Sequence, residues 1–98
     1  MEEQTTTTTT KTLDEQLSQK REQLTQAQIT QTNAYSKYLK VMKAKTIVDE
    51  KETDKVAKLD KLMFEYFKTY QNALEKAQKL QVELSELESQ KYLDELLG

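Results

Sequence analysis

The chain contains no cysteine, histidine, tryptophan or proline, and its one glycine is the terminal Gly98. Without cysteine no disulfide can staple a small fold, and the thiolate and imidazole ligands that most transition-metal sites use are missing. The same two absences remove the commonest catalytic nucleophiles and bases. With no proline and no internal glycine, nothing in the interior forces a helix to stop. Arg21 is the only arginine, so nucleic-acid binding, which favours an arginine-bearing basic face, is disfavoured. No apolar run approaches the roughly 18 residues that a membrane span needs. The acidic, threonine-rich start shows no apolar stretch of the signal-peptide kind. Composition thus sets the expectation of a soluble, cytoplasmic protein that is not an enzyme and takes no metal or cofactor.

What is present is charge and a repeat. Only 36% of the 98 residues are hydrophobic, and 17 acidic residues against 15 basic ones leave a net charge of −2. That is too little apolar mass for a large globular core. The apolar residues are nevertheless strictly periodic. Val56, Met63, Tyr70, Ala77 and Leu84 fall at position a of a heptad, and Leu59, Tyr66, Ala73, Leu80 and Leu87 at d. Such a helix carries one apolar seam and requires another helix to cover it. A second frame runs through Leu13, Leu17, Leu24, Ala27, Ala34, Tyr38, Val41 and Val48, interrupted at Lys20, Gln31 and Lys45. Gln31 is a candidate register-setting polar residue in that seam.

Residues 1–11, with six consecutive threonines from Thr5 to Thr10, are expected to be a disordered, low-complexity tail. Residues 12–98 form the helical domain. Thr12-Leu13-Asp14-Glu15 fits a capping box, with both acids at the favourable end of the helix dipole. The two heptad frames do not join across Asp49-Glu50-Lys51-Glu52-Thr53-Asp54-Lys55. A loop there, with Asp49 and Glu52 capping or Thr53 or Asp54 starting the next helix, gives an all-α antiparallel two-helix coiled-coil hairpin with helices over about 12–48 and 53–97. Folding about residue 52 pairs positions whose numbers sum to 104, which sets Leu17 against Leu87, Tyr38 against Tyr66 and Ala34 against Tyr70. The alternative is a stutter within a single long helix in a parallel coiled coil.

Two helices bury little, so the hairpin is expected to dimerise into a four-helix bundle or to pack on partner helices. Leu62, Met63, Phe64, Tyr66, Phe67 and Tyr70 wrap most of the circumference of the second helix, which implies burial on more than one side. Tyr35 and Tyr38 would join them at one level. Past Leu87 the seam positions are Lys91 and Asp94, while Tyr92, Leu93, Leu96 and Leu97 turn with Val82 onto another face. These two sets, led by Leu62, Met63, Phe64, Tyr66, Phe67, Tyr70, Leu93, Leu96 and Leu97, are the candidate partner-binding residues.

Residues 37–61 hold eight lysines against five acids, which places mild positive charge at the loop end. Glu83, Glu86 and Glu88 put carboxylates together but lack the histidine that helical di-metal sites use. Pairs such as Glu75 and Lys79 are expected to form ordinary intrahelical ion pairs. The expected role is an assembly or adaptor subunit acting by coiled-coil packing, with itself as a homodimer or higher oligomer, with other helical proteins, or with both. A structural rod of the viral or filament-associated type, and a small chaperone clamping a partner helix, are the alternatives.

Overall fold

The computed structural model describes residues 12–98, so the expectation of a disordered tail at residues 1–11 lies outside the described residues. Two helices make up the fold, α1 over Leu13–Ile47 and α2 over Thr53–Leu97, and no strand occurs among the described residues. The chain reverses at 48–52, so α1 and α2 form an antiparallel hairpin and not the alternative single long helix.

The ends of α1 follow from local chemistry. Thr12 is in extended conformation and its Oγ1 accepts the Glu15 amide at 3.1 Å, the first half of the capping box. The turn forms without glycine or proline because Asp49 does the work of both. Its carboxylate accepts the Lys51 amide at 3.0 Å, and its carbonyl accepts the Glu52 amide at 2.9 Å. This is an Asx turn inside a β-turn. Among the described residues no non-glycine residue has positive φ, so the reversal needs no left-handed residue. α2 then starts at Thr53 with Glu52 as its cap, and Glu52 makes no side-chain capping bond.

The seam is where the heptads place it. The buried residues are Leu17, Leu24, Ala27, Ala34 and Val41 on α1 and Ala73, Ala77, Leu80 and Leu84 on α2. All nine are a or d positions of the two frames. Four are alanines, which let the middle of the two helices approach closely. The main cluster, Leu17, Leu24, Ala27, Ala77, Leu80 and Leu84 with Leu13 and Leu87 against it, lies in the half of the hairpin away from the turn. Toward the turn coverage fails. Between residues 35 and 70 only Val41 is buried, while Tyr38, Leu59, Met63, Tyr66 and Tyr70, all seam positions, are half-buried. The molecule extends 71 × 29 × 13 Å, a ribbon about one helix thick.

The seam lysines explain the breaks in the apolar pattern. Lys20 meets Glu83 at 3.4 Å, Lys91 meets Asp14 at 2.8 Å, and Lys45 pairs with Asp60. Each lysine lays its aliphatic stem in the seam and carries its ammonium to a carboxylate on the other helix. Residue numbers in these three pairs sum to within one of 104, which fixes the expected register. Gln31 is half-buried at the remaining polar seam position. The intrahelical pairing expected of Glu75 and Lys79 is not present; four of the five ion pairs among the described residues cross between helices. An exposed i,i+4 pair is worth only a few tenths of a kcal/mol, too little to hold two long side chains in place.

Leu17, at 1% exposure, is the most enclosed side chain of the core. Leu17→Ala is expected to lower the unfolding free energy by about 2–5 kcal/mol in urea melts followed by far-UV circular dichroism. Val82→Ala, on the outer side of α2, should change it by less than about 0.5 kcal/mol.

Candidate protein-interaction surface

A ribbon of two helices has two broad faces, and their chemistry differs. In an antiparallel pair, the residues that follow each d position meet the corresponding residues of the other helix along one face. Arg21, after Lys20, and Glu88, after Leu87, demonstrate the geometry by pairing at 3.4 Å. Closer to the turn the same face carries Tyr35 and Met42 from α1 and Phe67 and Leu74 from α2. Leu39 and Phe64 widen it, each three or four residues from a neighbour on its own helix. The opposite face carries Gln23, Thr30 and Lys37 with Thr69 and Lys76. Its shallow groove is bordered by Gln26, Thr30, Asn72 and Lys76 around Ala27 and Ala73.

Four rings knit the apolar face together. Tyr35 and Tyr70 lie 5.2 Å apart between centroids, and so do Tyr38 and Phe67, each pair bridging the two helices. Tyr35–Tyr38 and Phe67–Tyr70 close the set along each helix at 6.2 and 6.0 Å. These separations and tilts are those of favourable aromatic pairs. The rings pair with one another but do not enclose one another. Phe67 keeps 38% of its surface exposed, Tyr35 43%, Leu39 45% and Met42 43%, and Phe64 stands out at 69%.

The candidate residues read from the sequence therefore separate into groups. Met63, Tyr66 and Tyr70 are seam residues, half-buried between the helices. Phe64 and Phe67 belong to the apolar face. Leu62 falls on the polar face, on the side where the Lys37 ammonium lies 5.7 Å from the centre of the Tyr66 ring. Leu93, Leu96 and Leu97 are exposed with Tyr92 at the end of α2. Lys91 already pairs with Asp14 in the first turn of α1, so this last stretch runs past the beginning of α1. Beside it, Val82, Ser85, Ser89 and Leu93 border a shallow open depression on the outer side of α2.

Of the α1 contribution to the face, Tyr35 was expected at the level of the belt around α2, but Leu39 and Met42 are absent from the sequence reading. The signal was there: three large apolar residues at i, i+4 and i+7, off the seam by one position. It was overshadowed by the denser run on α2.

The open end is closed electrostatically. The Lys91 ammonium donates to the Asp14 carboxylate, and that hydrogen bond, with the attraction of the two charges, holds the Asp14 carboxyl below its ordinary value of 3.8. By the same bond and charge, Lys91 is raised above its ordinary 10.5. Among the described residues no cluster of acids has the makings of a metal site, and no helix is long and apolar enough to cross a membrane. No protein-family model, curated protein or solved structure matches the chain.

Because folding depresses the Asp14 pKa, the pair stabilises the open end above the unfolded carboxyl's pKa and is lost as pH falls through the lower folded value. Because folding raises the Lys91 pKa, that contribution is present below 10.5 and is lost as pH rises through the higher folded value. An NMR titration of the Asp14 carboxyl should show a midpoint below 3.8. In Lys91→Met it should return to the ordinary carboxylate range.

Proposed function

We propose that this chain is a non-enzymatic helical assembly or adaptor subunit that works by burying the face formed by Tyr35, Leu39, Met42, Phe64, Phe67 and Leu74 against further helices. The observation that carries this reading is the uneven coverage of the seam. Away from the turn, leucines and alanines close the core. Nearer the turn, seven apolar a and d residues stay half-buried and a cluster of aromatics lies open beside them. An apolar surface of this kind is costly to leave in water, and aromatics supply the largest contact area for the least loss of side-chain freedom.

Chemistry on a substrate is not part of the proposal. The chain offers no imidazole or thiol, and its acids lie mostly on solvated faces. The exposed stripe of Leu93, Leu96 and Leu97 serves in this reading as a second, smaller contact at the open end. The polar face around Thr30 and Thr69 remains toward solvent.

A photo-cross-linking residue placed at position 64 of the full chain, in the cells that make it, tests the proposal. Discrete protein adducts are expected from position 64 and none from position 76 on the polar face. Adducts of equal yield from both positions, or from neither, would remove the support for the apolar face as a docking surface.

A further inference from the structure

We infer that the polar face, which the adaptor reading leaves toward solvent, binds an anionic bilayer surface through its lysines, with the ribbon lying flat. The heptad sorts charge between the two broad faces. Lys37, Lys40, Lys55, Lys58, Lys76 and Lys79 each directly precede a seam residue, so all six stand on the face that carries Thr30 and Thr69. All six are exposed. The apolar face is made of the residues that directly follow seam positions, and none of those is lysine. Its one cation, Arg21, is held by Glu88.

The acids divide the other way. On the lysine face only Glu65, Glu83 and Glu86 precede a seam residue, and Glu83 is already held by Lys20. None of the five acids among residues 37–61 blunts this face. Asp49 and Asp60 belong to the apolar face, Glu50 and Asp54 to the outer edges, and Glu52 is paired with Lys55. Of the six lysines, only Lys55 joins an ion pair among the described residues. The chain's net charge of −2 thus conceals one positive face and one negative face.

The lysines form a row and not a pocket. Lys55 and Lys79 on α2 are 24 residues apart, which separates them by about 36 Å. In the hairpin register Lys37 and Lys40 fall beside residues 64–67 and fill the gap between Lys58 and Lys76. Two aliphatic side chains stand on the same face, Ile47 at 77% exposure and Leu62 at 38%. Ammonium groups interspersed with aliphatic side chains suit a bilayer surface, where charge meets the headgroups and the aliphatic groups enter the acyl boundary. A nucleic-acid backbone would leave Ile47 in water. The face also lacks the arginines and exposed rings that strand binding uses; Tyr35, Phe64, Phe67 and Tyr92 all lie on the other side. Resting on its lysines, a ribbon 13 Å thick keeps those rings free for partner helices.

Flotation of the full chain with lipid vesicles tests the inference. Phosphatidylcholine vesicles containing about a quarter phosphatidylserine should carry the chain, and pure phosphatidylcholine should not. Each lysine at such a surface strengthens binding about fivefold, so Lys40→Gln with Lys79→Gln should weaken it about 30-fold. Far-UV circular dichroism should be unchanged, since neither side chain has a partner in the fold. Gln71→Glu with Gln78→Glu makes the same change in net charge on the apolar side, about one screening length away, and should leave binding within about twofold. A chain that does not float with the anionic vesicles, or floats equally with neutral ones, overturns the inference. Equal losses in the two double variants also overturn it, because net charge and not this face would then be responsible. If the chain ignores vesicles but retards double-stranded DNA through Lys40 and Lys79, the face serves nucleic acid and the inference falls. Cross-linking from position 64 reports on the adaptor reading separately in every case.

Discussion

Two helices can hide a side chain only along the line where they touch, and everything else about this chain follows from that limit. With a thickness of about one helix, the ribbon has a seam but no interior. A residue one step off the seam is half in water whatever its chemistry. The chain therefore spends its leucines on the seam of one half and its alanines at the centre. Its rings fall where the seam widens beyond what two helices can cover. The face around Phe67 is the geometric remainder of packing large side chains against a single partner helix.

Polar residues in the seam have a different job. Leucine against leucine is content in several registers that differ by a heptad, because the repeat looks the same after each shift. Lys20, Lys45 and Lys91 are not repeated, and each pairs across the seam with one carboxylate, on Glu83, Asp60 and Asp14. Sliding α1 by a heptad would strand all three together. Their contribution to stability is small, as expected of partly exposed pairs, but their contribution to uniqueness is large. They belong with the turn at Asp49, which also fixes register by hydrogen bonds and not by burial.

Much of this was legible before any coordinates, and the reasons are physical. A seven-residue repeat is a direct statement about which side of a helix is covered, so the nine buried residues and the hairpin register could be read from spacing. The cap at Thr12 was legible because its partners are three residues away. The turn was legible as a break in frame, but its mechanism was not, since Asp49 alone stands in for the glycine or proline that usually marks such a place. Least legible was the apolar face. It is built half from α1 and half from α2, and which flank of each seam looks the same way depends on the antiparallel pairing. Hence Leu62 and Phe67 were read together as one belt around α2, Tyr35 was placed only at its level, and Leu39 and Met42 were passed over.

The antiparallel path also has a mechanical meaning. Thr12 and Gly98 lie at the same end of the ribbon, with the turn at the other. A pull applied between them does not shear all the contacts at once. It peels the helices apart one rung at a time, from the Asp14–Lys91 pair, through the leucines, to the rings, with the turn at Asp49 last to feel the load. Such a zipper yields at low force but remembers its alignment, because the rungs nearest the turn stay closed and guide the rest back together.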